Sequence, residues 1–166
     1  LIVATGIANI WVRHPNAMVQ GALSLAELSG DRFLLGIGVS HQPSVEGVQG
    51  IPFGKPLATM TAYLETMSKA TWRGPETEMP PVVIAALGPK MLELAGRVAT
   101  GTHVGQCGPR TITEHTAPII NAAAEAAGRP APRIIALVNL CVGEPASIRA
   151  AASEHTAFYG ALPSYR

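Results

Sequence analysis

Ser40 and His41 are the polar pair best placed for chemistry in this chain. They follow an almost wholly apolar run, residues 33–39, with glycine at positions 36 and 38. Such a run reads as a strand buried on both faces, the kind found in parallel sheets covered by helices. Those sheets place their ligands at the carboxyl ends of the strands. An imidazole at that point can give or take a proton near neutral pH. Gly36 and Gly38 leave room for another backbone or a ligand to come close. The plain alternative is a core strand that runs into a solvated loop.

Two further strand ends share this character. In Ala4-Thr5-Gly6-Ile7-Ala8-Asn9, a glycine among small residues at a strand terminus predicts a bulge facing a ligand, or else an ordinary strand-to-helix turn. In Ala85-Ala86-Leu87-Gly88-Pro89, a strand passes through glycine into a helix. The unpaired N–H groups of that first turn and the helix dipole suit a phosphate; a tight connecting turn is the simpler alternative. The chain has no GxGxxG and no Walker A sequence, so the usual dinucleotide and P-loop fingerprints are missing. It has no HExxH and no GxSxG, which disfavours a zinc protease site and a serine hydrolase. Of the other histidines, His14 reads as a turn residue and His115 and His155 as helix-surface residues. His103 lies in a short strand and can face either way.

Alternating elements must position these residues. The first apolar run covers residues 1–8. Pro15 opens a helix with Met18, Ala22, Leu25 and Leu28 on one face, and Gly30 stops it. After the strand at 33–39 comes a Gly/Pro-rich loop, 41–55. Pro56 opens a helix with Leu57, Met60, Leu64 and Met67 in a stripe and a Glu65/Lys69 pair. Strands follow at 82–87, 102–106 and 133–142. The helix from Gly88-Pro89 separates the first two. A helix introduced by a capping box at 111–114, with a kink at Pro118, separates the second and third. Pro145 opens the last helix, and 160–166 is loop. Five consecutive βα units predict a parallel α/β fold, either an open doubly wound sheet or part of a barrel.

Composition excludes several functions. Hydrophobic residues make up 48% of the 166 and charged residues 14%, which describes a globular domain. A net charge of +1 provides no field for nucleic acid or an anionic membrane. No apolar run approaches membrane-spanning length. Cys107 and Cys141 lack metal-site spacing and read as two buried thiols of a cytoplasmic protein. The chain starts at Leu1 within an apolar segment, with no signal-peptide pattern, as the middle of a longer protein would.

Three stretches together, ATGIANIWVRHP, LAELSGDRFLLGIGVSH and VVIAALGPKMLELAGRVATG, resemble the luciferase-like (LLM class) flavin and deazaflavin oxidoreductases. The likeness is greatest to the actinobacterial branch that uses the deazaflavin coenzyme F420. It runs along nearly the whole chain, and Ser-Gly-x-Arg-Phe-x-x-Gly-x-Gly at 29–38 is its most specific part. Thr100 departs from the pattern, standing where the family often has Asp.

The resemblance implies a (β/α)8 TIM barrel, of which residues 1–166 match roughly units three to seven as one partial barrel domain. Five units cannot close a barrel of eight, so the isolated segment is expected to be marginally stable or to bury its open edges against another chain. The implied cofactor is coenzyme F420, with FMN as the alternative. The implied partners are a small organic substrate and a second copy in a homodimer. A cis peptide at Gly6–Ile7 would back the coenzyme ring, and Asn9 matches a ring-contacting position. Gly38, Ser40 and His41 match the ring-lining segment, with His41 where some deazaflavin members carry an acidic proton donor. His41 is therefore the candidate catalytic residue. Ala86, Leu87 and Gly88 match the backbone cradle for the coenzyme phosphate. A family catalytic position near the end of the second strand lies outside this chain. The expected function is hydride transfer between the deazaflavin and an organic substrate. The alternatives are an FMN-dependent luciferase-like monooxygenase and a truncated, catalytically silent coenzyme-binding or dimerisation module.

Overall fold

Proline and glycine set most of the helix ends. In the computed structural model, which describes residues 1–162 and 165 without the side chain of His155, α1 runs Pro15–Ser29. Its first turn is capped by His14, whose Nδ1 accepts from the Asn16 N–H at 3.3 Å. Gly30, at φ 59°, ends it in the left-handed region. α2 (Pro56–Met67) and α3 (Pro89–Val98) also begin on proline.

The strands β1 (Val3–Ala4), β2 (Ala8–Asn9), β3 (Phe33–Gly38), β4 (Val82–Ala85), β5 (Gly101–Val104) and β6 (Arg133–Ala136) form one curled, all-parallel sheet. Its order is β1-β3-β4-β5-β6, with β2 also on β3. Val3 pairs with Phe33 and Ala8 with Ile37. Between these pairs the first strand takes one step more than β3, so the 1–8 run is a single strand interrupted by a one-residue bulge. The Gly6–Ile7 peptide within that bulge is cis, at the bond the resemblance pointed to. Thr5 closes the bulge onto β3. Its Oγ1 donates to the Gly36 carbonyl at 2.8 Å and accepts from the Gly36 N–H at 2.9 Å.

Strand register divides the sheet into two faces. Leu35, Ile37, Ile84 and Ile134 point to the helices and join Met18, Leu23, Met60 and Ile120 in the core. The opposite, concave face carries Gly36, Gly38, Val83, Ala85 and His103. Small side chains there leave the inside of the curl open. Thr102 is fully buried on the helix side and satisfies its hydroxyl by donating to the Ile84 carbonyl at 2.8 Å.

Several sequence expectations are corrected. The buried stripe of α1 is Met18, Val19, Ala22, Leu23 and Ala26, while Leu25 and Leu28 are exposed. The helix is rotated by about one residue from the expected stripe, which the 3.6-residue period permits. No capping box forms at Thr111. The helical run starts earlier, at α4 (Pro109–Thr111) with Gly108 as cap, and Glu114 instead pairs with Arg110 at 2.9 Å. A π-helical turn, Ile112–Thr116, then leads into α5 (Ala117–Ala126). The wider hydrogen bonding falls just before Pro118, which has no N–H to donate.

The Glu65–Lys69 pair is not formed, because α2 ends at Met67. β6 stops at Ala136. Beyond the Leu137 N–H to Val104 carbonyl bond, residues 138–142 have no strand to pair with, and Val138, Leu140 and Val142 are exposed. The last helix, α6 (Pro145–Ala161), runs past Gly160. Cys141 is exposed and Cys107 half-buried, so neither thiol is the buried one expected. Among the described residues no helix is long and apolar enough to cross a membrane.

Candidate active site

The carboxyl ends of β3, β4 and β5 and the bulge before β2 surround a cleft of about 1100 Å³. Two of its turns use non-glycine residues in the left-handed region: Ser40 at φ 56° after β3 and Gln106 at φ 55° after β5. Such residues are uncommon and concentrate at functional sites. Here Ser40 ends the strand so that His41 stands at the rim of the cleft. Trp11 braces the same strand end, its indole N–H donating to the Val39 carbonyl at 2.7 Å.

The segment expected as loop after His41 is built, not loose. Residues Pro43–Val48 form a π-helical turn. The His41 carbonyl accepts from the Ser44 and Val45 N–H groups, each at 3.0 Å. Glu46 organises the rest, accepting from Gln42 Nε2 at 2.9 Å and from the Phe53 N–H at 3.1 Å. At the 86–88 turn, α3 begins with Gly88 as a cap without a side-chain bond, and a Cβ on Gly88 would meet nothing within 4 Å. The turn is held from outside. His115 Nε2–H donates to the Leu87 carbonyl at 2.9 Å, so His115 is a tertiary tie and not the free surface residue expected.

Of the residues singled out from sequence, Gly6, Ile7, Ser40, His41, Ala86, Leu87 and Gly88 line this one cleft. Gly38 and Asn9 are outside its lining. A Cβ on Gly38 would stand 2.9 Å from the Ile7 side chain and 3.1 Å from that of Ala85, so the glycine serves strand packing. The Asn9 amide is used elsewhere: Nδ2 donates to Gln49 at 3.1 Å, and Oδ1 accepts from the Trp11 N–H at 2.9 Å.

The structure adds residues that sequence reasoning did not select. His103 rises from the concave face. Tyr159, Leu162 and Tyr165 reach the cleft from the end of α6 and the residues after it. The His41 ring packs against Tyr159 and Tyr165, with centroids 6.2 and 5.8 Å apart. Alternation along β5 was the available signal for His103, since it shares parity with Gly101 and Gly105. Nothing local pointed to the tyrosines.

Burial lowers the pKa of both His41 and His103 below 6.5. Each folded-state imidazole therefore takes up its proton at lower pH than in the unfolded chain. Stability is full above pH 6.5 and falls as pH drops through that value toward the folded pKa values. Urea midpoints measured at pH 7.5 and 5.5 are expected to be lower at the acid pH, and a His41→Gln/His103→Gln variant is expected to lose part of the drop. An unchanged difference in that variant would assign the acid sensitivity to other groups. Among the described residues no three His, Cys, Asp or Glu side chains cluster as a metal site would require.

Known proteins resemble this chain in sequence and in fold. A 5,10-methylenetetrahydromethanopterin reductase of Methanolobus tindarius is 30% identical over 142 residues, 75% of this chain and 43% of that protein. A Mycobacterium tuberculosis protein named for coenzyme F420-dependent oxidoreductase activity is 30% identical over 128 residues, 58% of this chain and 37% of that protein. The chain thus spans about half the length, or less, of these relatives. Among solved structures, monooxygenase RslO1 from Streptomyces bottropensis superposes with a TM-score of 0.73 at 20% identity, covering 98% of this chain and 58% of that one. The family model for luciferase-like monooxygenases matches residues 1–166. With the match running end to end over this parallel sheet and its cleft, the chain belongs to the luciferase-like monooxygenase family.

Proposed function

We propose that this chain forms roughly units three to seven of a (β/α)8 barrel, one domain over residues 1–166, and that the barrel is a coenzyme F420-dependent oxidoreductase. Its reaction is hydride transfer between the deazaflavin and a small organic substrate. The observation that carries the reading is convergence: three strand-end segments far apart in sequence meet at one cleft on the carboxyl side of a parallel sheet. Relatives and structural neighbours named as F420-dependent enzymes support the choice of coenzyme.

The residues present fit such a group. At about 1100 Å³ the cleft is slightly larger than ordinary ligand sites, about 300–1000 Å³. Open space lies in front of Gly88, where the first-turn amides of α3 can receive a phosphate. When bound, the coenzyme supplies the redox chemistry. Gly6, Ile7 and Ser40 bound the place for the ring, and His41, neutral at pH 7, offers it an N–H at the rim.

Titration of the full-length protein with F420, followed by deazaflavin fluorescence, tests the reading. Saturable binding is expected, and its absence would end it. Gly88→Val is expected to weaken coenzyme binding about tenfold to hundredfold, the equivalent of one or two lost charge-assisted hydrogen bonds. Unchanged affinity in the folded variant would remove the phosphate assignment. An FMN-dependent monooxygenase is the second reading, favoured by the likeness to RslO1 over nearly the whole chain. Preferential binding of FMN in the same titration would select it.

A further inference from the structure

We propose that His115, which stands outside the cleft, is the positioning residue of its phosphate site, turning the Gly88 N–H toward the anion. The proposal rests on the reading of a phosphate-bearing coenzyme above. The Leu87 carbonyl accepts from His115 Nε2 at 2.9 Å. A carbonyl oxygen only accepts, so Nε2 must carry the proton. Among the described residues this is the one side-chain hydrogen bond made to the backbone of 86–88.

The planar amide carries the effect to the cleft. The Leu87–Gly88 peptide is trans. In a trans peptide the C=O and the following N–H point in opposite directions. Leu87 and Gly88 line the cleft and His115 does not. A carbonyl held back toward His115 therefore presents the Gly88 N–H on the other side of the peptide, which is the side of the cleft. That N–H has no partner among the described residues. Glycine, with no Cβ to restrict φ, leaves this plane free to rotate unless something outside the turn fixes it.

Few other amides are available there. Pro89, the first residue of α3, has no N–H. Met91 and Leu92 donate to the Gly88 carbonyl at 3.2 and 3.1 Å. Gly88 and Lys90 are left to receive an anion, and His115 sets the direction of the first.

The frame behind His115 is rigid. The residue belongs to the π-helical turn that leads into α5, and α5 packs closely on α3. A Cβ on Gly96 of α3 would stand 2.5 Å from the Ile120 carbonyl oxygen and 2.9 Å from the Ala123 Cβ. Gly96 thus lets the two helices touch. That contact fixes how far His115, just before α5, stands from the turn just before α3. The neighbouring Glu114 is taken up by Arg110 at 2.9 Å.

The test compares ligands with and without the phosphate on the full-length protein. One pair is F420 and the deazaflavin ribitol derivative that lacks its phosphate; the other is FMN and riboflavin. Binding is followed by fluorescence. His115→Phe fills the place of the imidazole without an N–H. It is expected to weaken binding of the phosphate-bearing member about tenfold, the scale of one lost hydrogen bond. The phosphate-free member is expected to bind within about twofold of its affinity for the parent protein. His115→Gln, whose amide can donate to the Leu87 carbonyl, is expected to restore most of the affinity. A general loosening of the fold would weaken both members alike.

In the unsubstituted protein, nitrogen NMR is expected to show the Nε2–H tautomer of His115. The Gly88 amide proton resonance is expected to move downfield with the phosphate-bearing ligand and not with the phosphate-free one. These measurements decide the question if His115→Phe does not fold. Equal loss for both members of a pair, unchanged affinity in His115→Phe, an Nδ1–H tautomer or an unmoved Gly88 resonance would each overturn the proposal. If FMN binds in place of F420, the deazaflavin reading falls and the FMN–riboflavin pair decides this inference. If neither phosphate-bearing coenzyme binds, the coenzyme reading falls, and this inference with it.

Discussion

Replacing Gly36 by alanine is expected to lower stability by about 3 kcal/mol, the upper part of the range for overpacking a close-packed site. A Cβ at this position would stand 2.0 Å from the Thr5 carbonyl oxygen and 3.2 Å from its carbon. Both are backbone atoms, so no side-chain rotation relieves the overlap. The bulge would have to move away from β3, and two hydrogen bonds between Thr5 Oγ1 and Gly36 would go with it. Each such bond contributes about 0.5–1.5 kcal/mol. For a domain of this size a loss of that magnitude lowers Tm by about 6–12 °C. Thermal melting followed by circular dichroism checks it, and a melting temperature within a degree of the parent would mean the bulge is not held as described. Thr5→Val removes the same two hydrogen bonds without the overlap and is expected to lower Tm by less.

His41→Ala is expected to lower kcat about a hundredfold while raising the coenzyme Kd only severalfold. Reduction of a deazaflavin places negative charge on the far edge of its ring. A donor aimed at developing charge acts mainly in the transition state, and removing one such donor typically costs ~10²–10³ in kcat. On the proposed reading His41 faces the coenzyme ring; Ser40 and the aromatic rings of Tyr159 and Tyr165 fix its place at the rim of the cleft. Burial keeps it uncharged at neutral pH, so its contribution is an N–H hydrogen bond and not a full charge. Steady-state kinetics beside a fluorescence titration separate the two effects. Normal turnover with weakened coenzyme binding would make His41 a binding residue alone.

The alternation of strands and helices was legible in the chain because each signal is local. Pro15, Pro56 and Pro89 open helices because proline lacks an N–H that the first turn does not need. Gly30 closes α1 because it alone enters the left-handed region at no cost. The apolar run at 33–39 declares a doubly buried strand by composition. The three strand ends could therefore be named as candidates before any contact was known, and the family likeness rests on the same stretches.

Tertiary structure decided what depends on partners distant in sequence. The bulge at Thr5–Ile7 needs Gly36, thirty-one residues on, to receive Thr5. β6 ends at Ala136 because β5 ends at Val104, which no pattern within residues 133–142 records. Asn9 was drawn away from the cleft by Gln49 and Trp11. His115 was drawn inward by the carbonyl of Leu87. His103 could face either way until pairing with Ala85 and Ile135 set its side. Periodicity and end signals constrain how a segment folds onto itself; which face of it meets a ligand is set by strand register and packing, which are properties of pairs of segments.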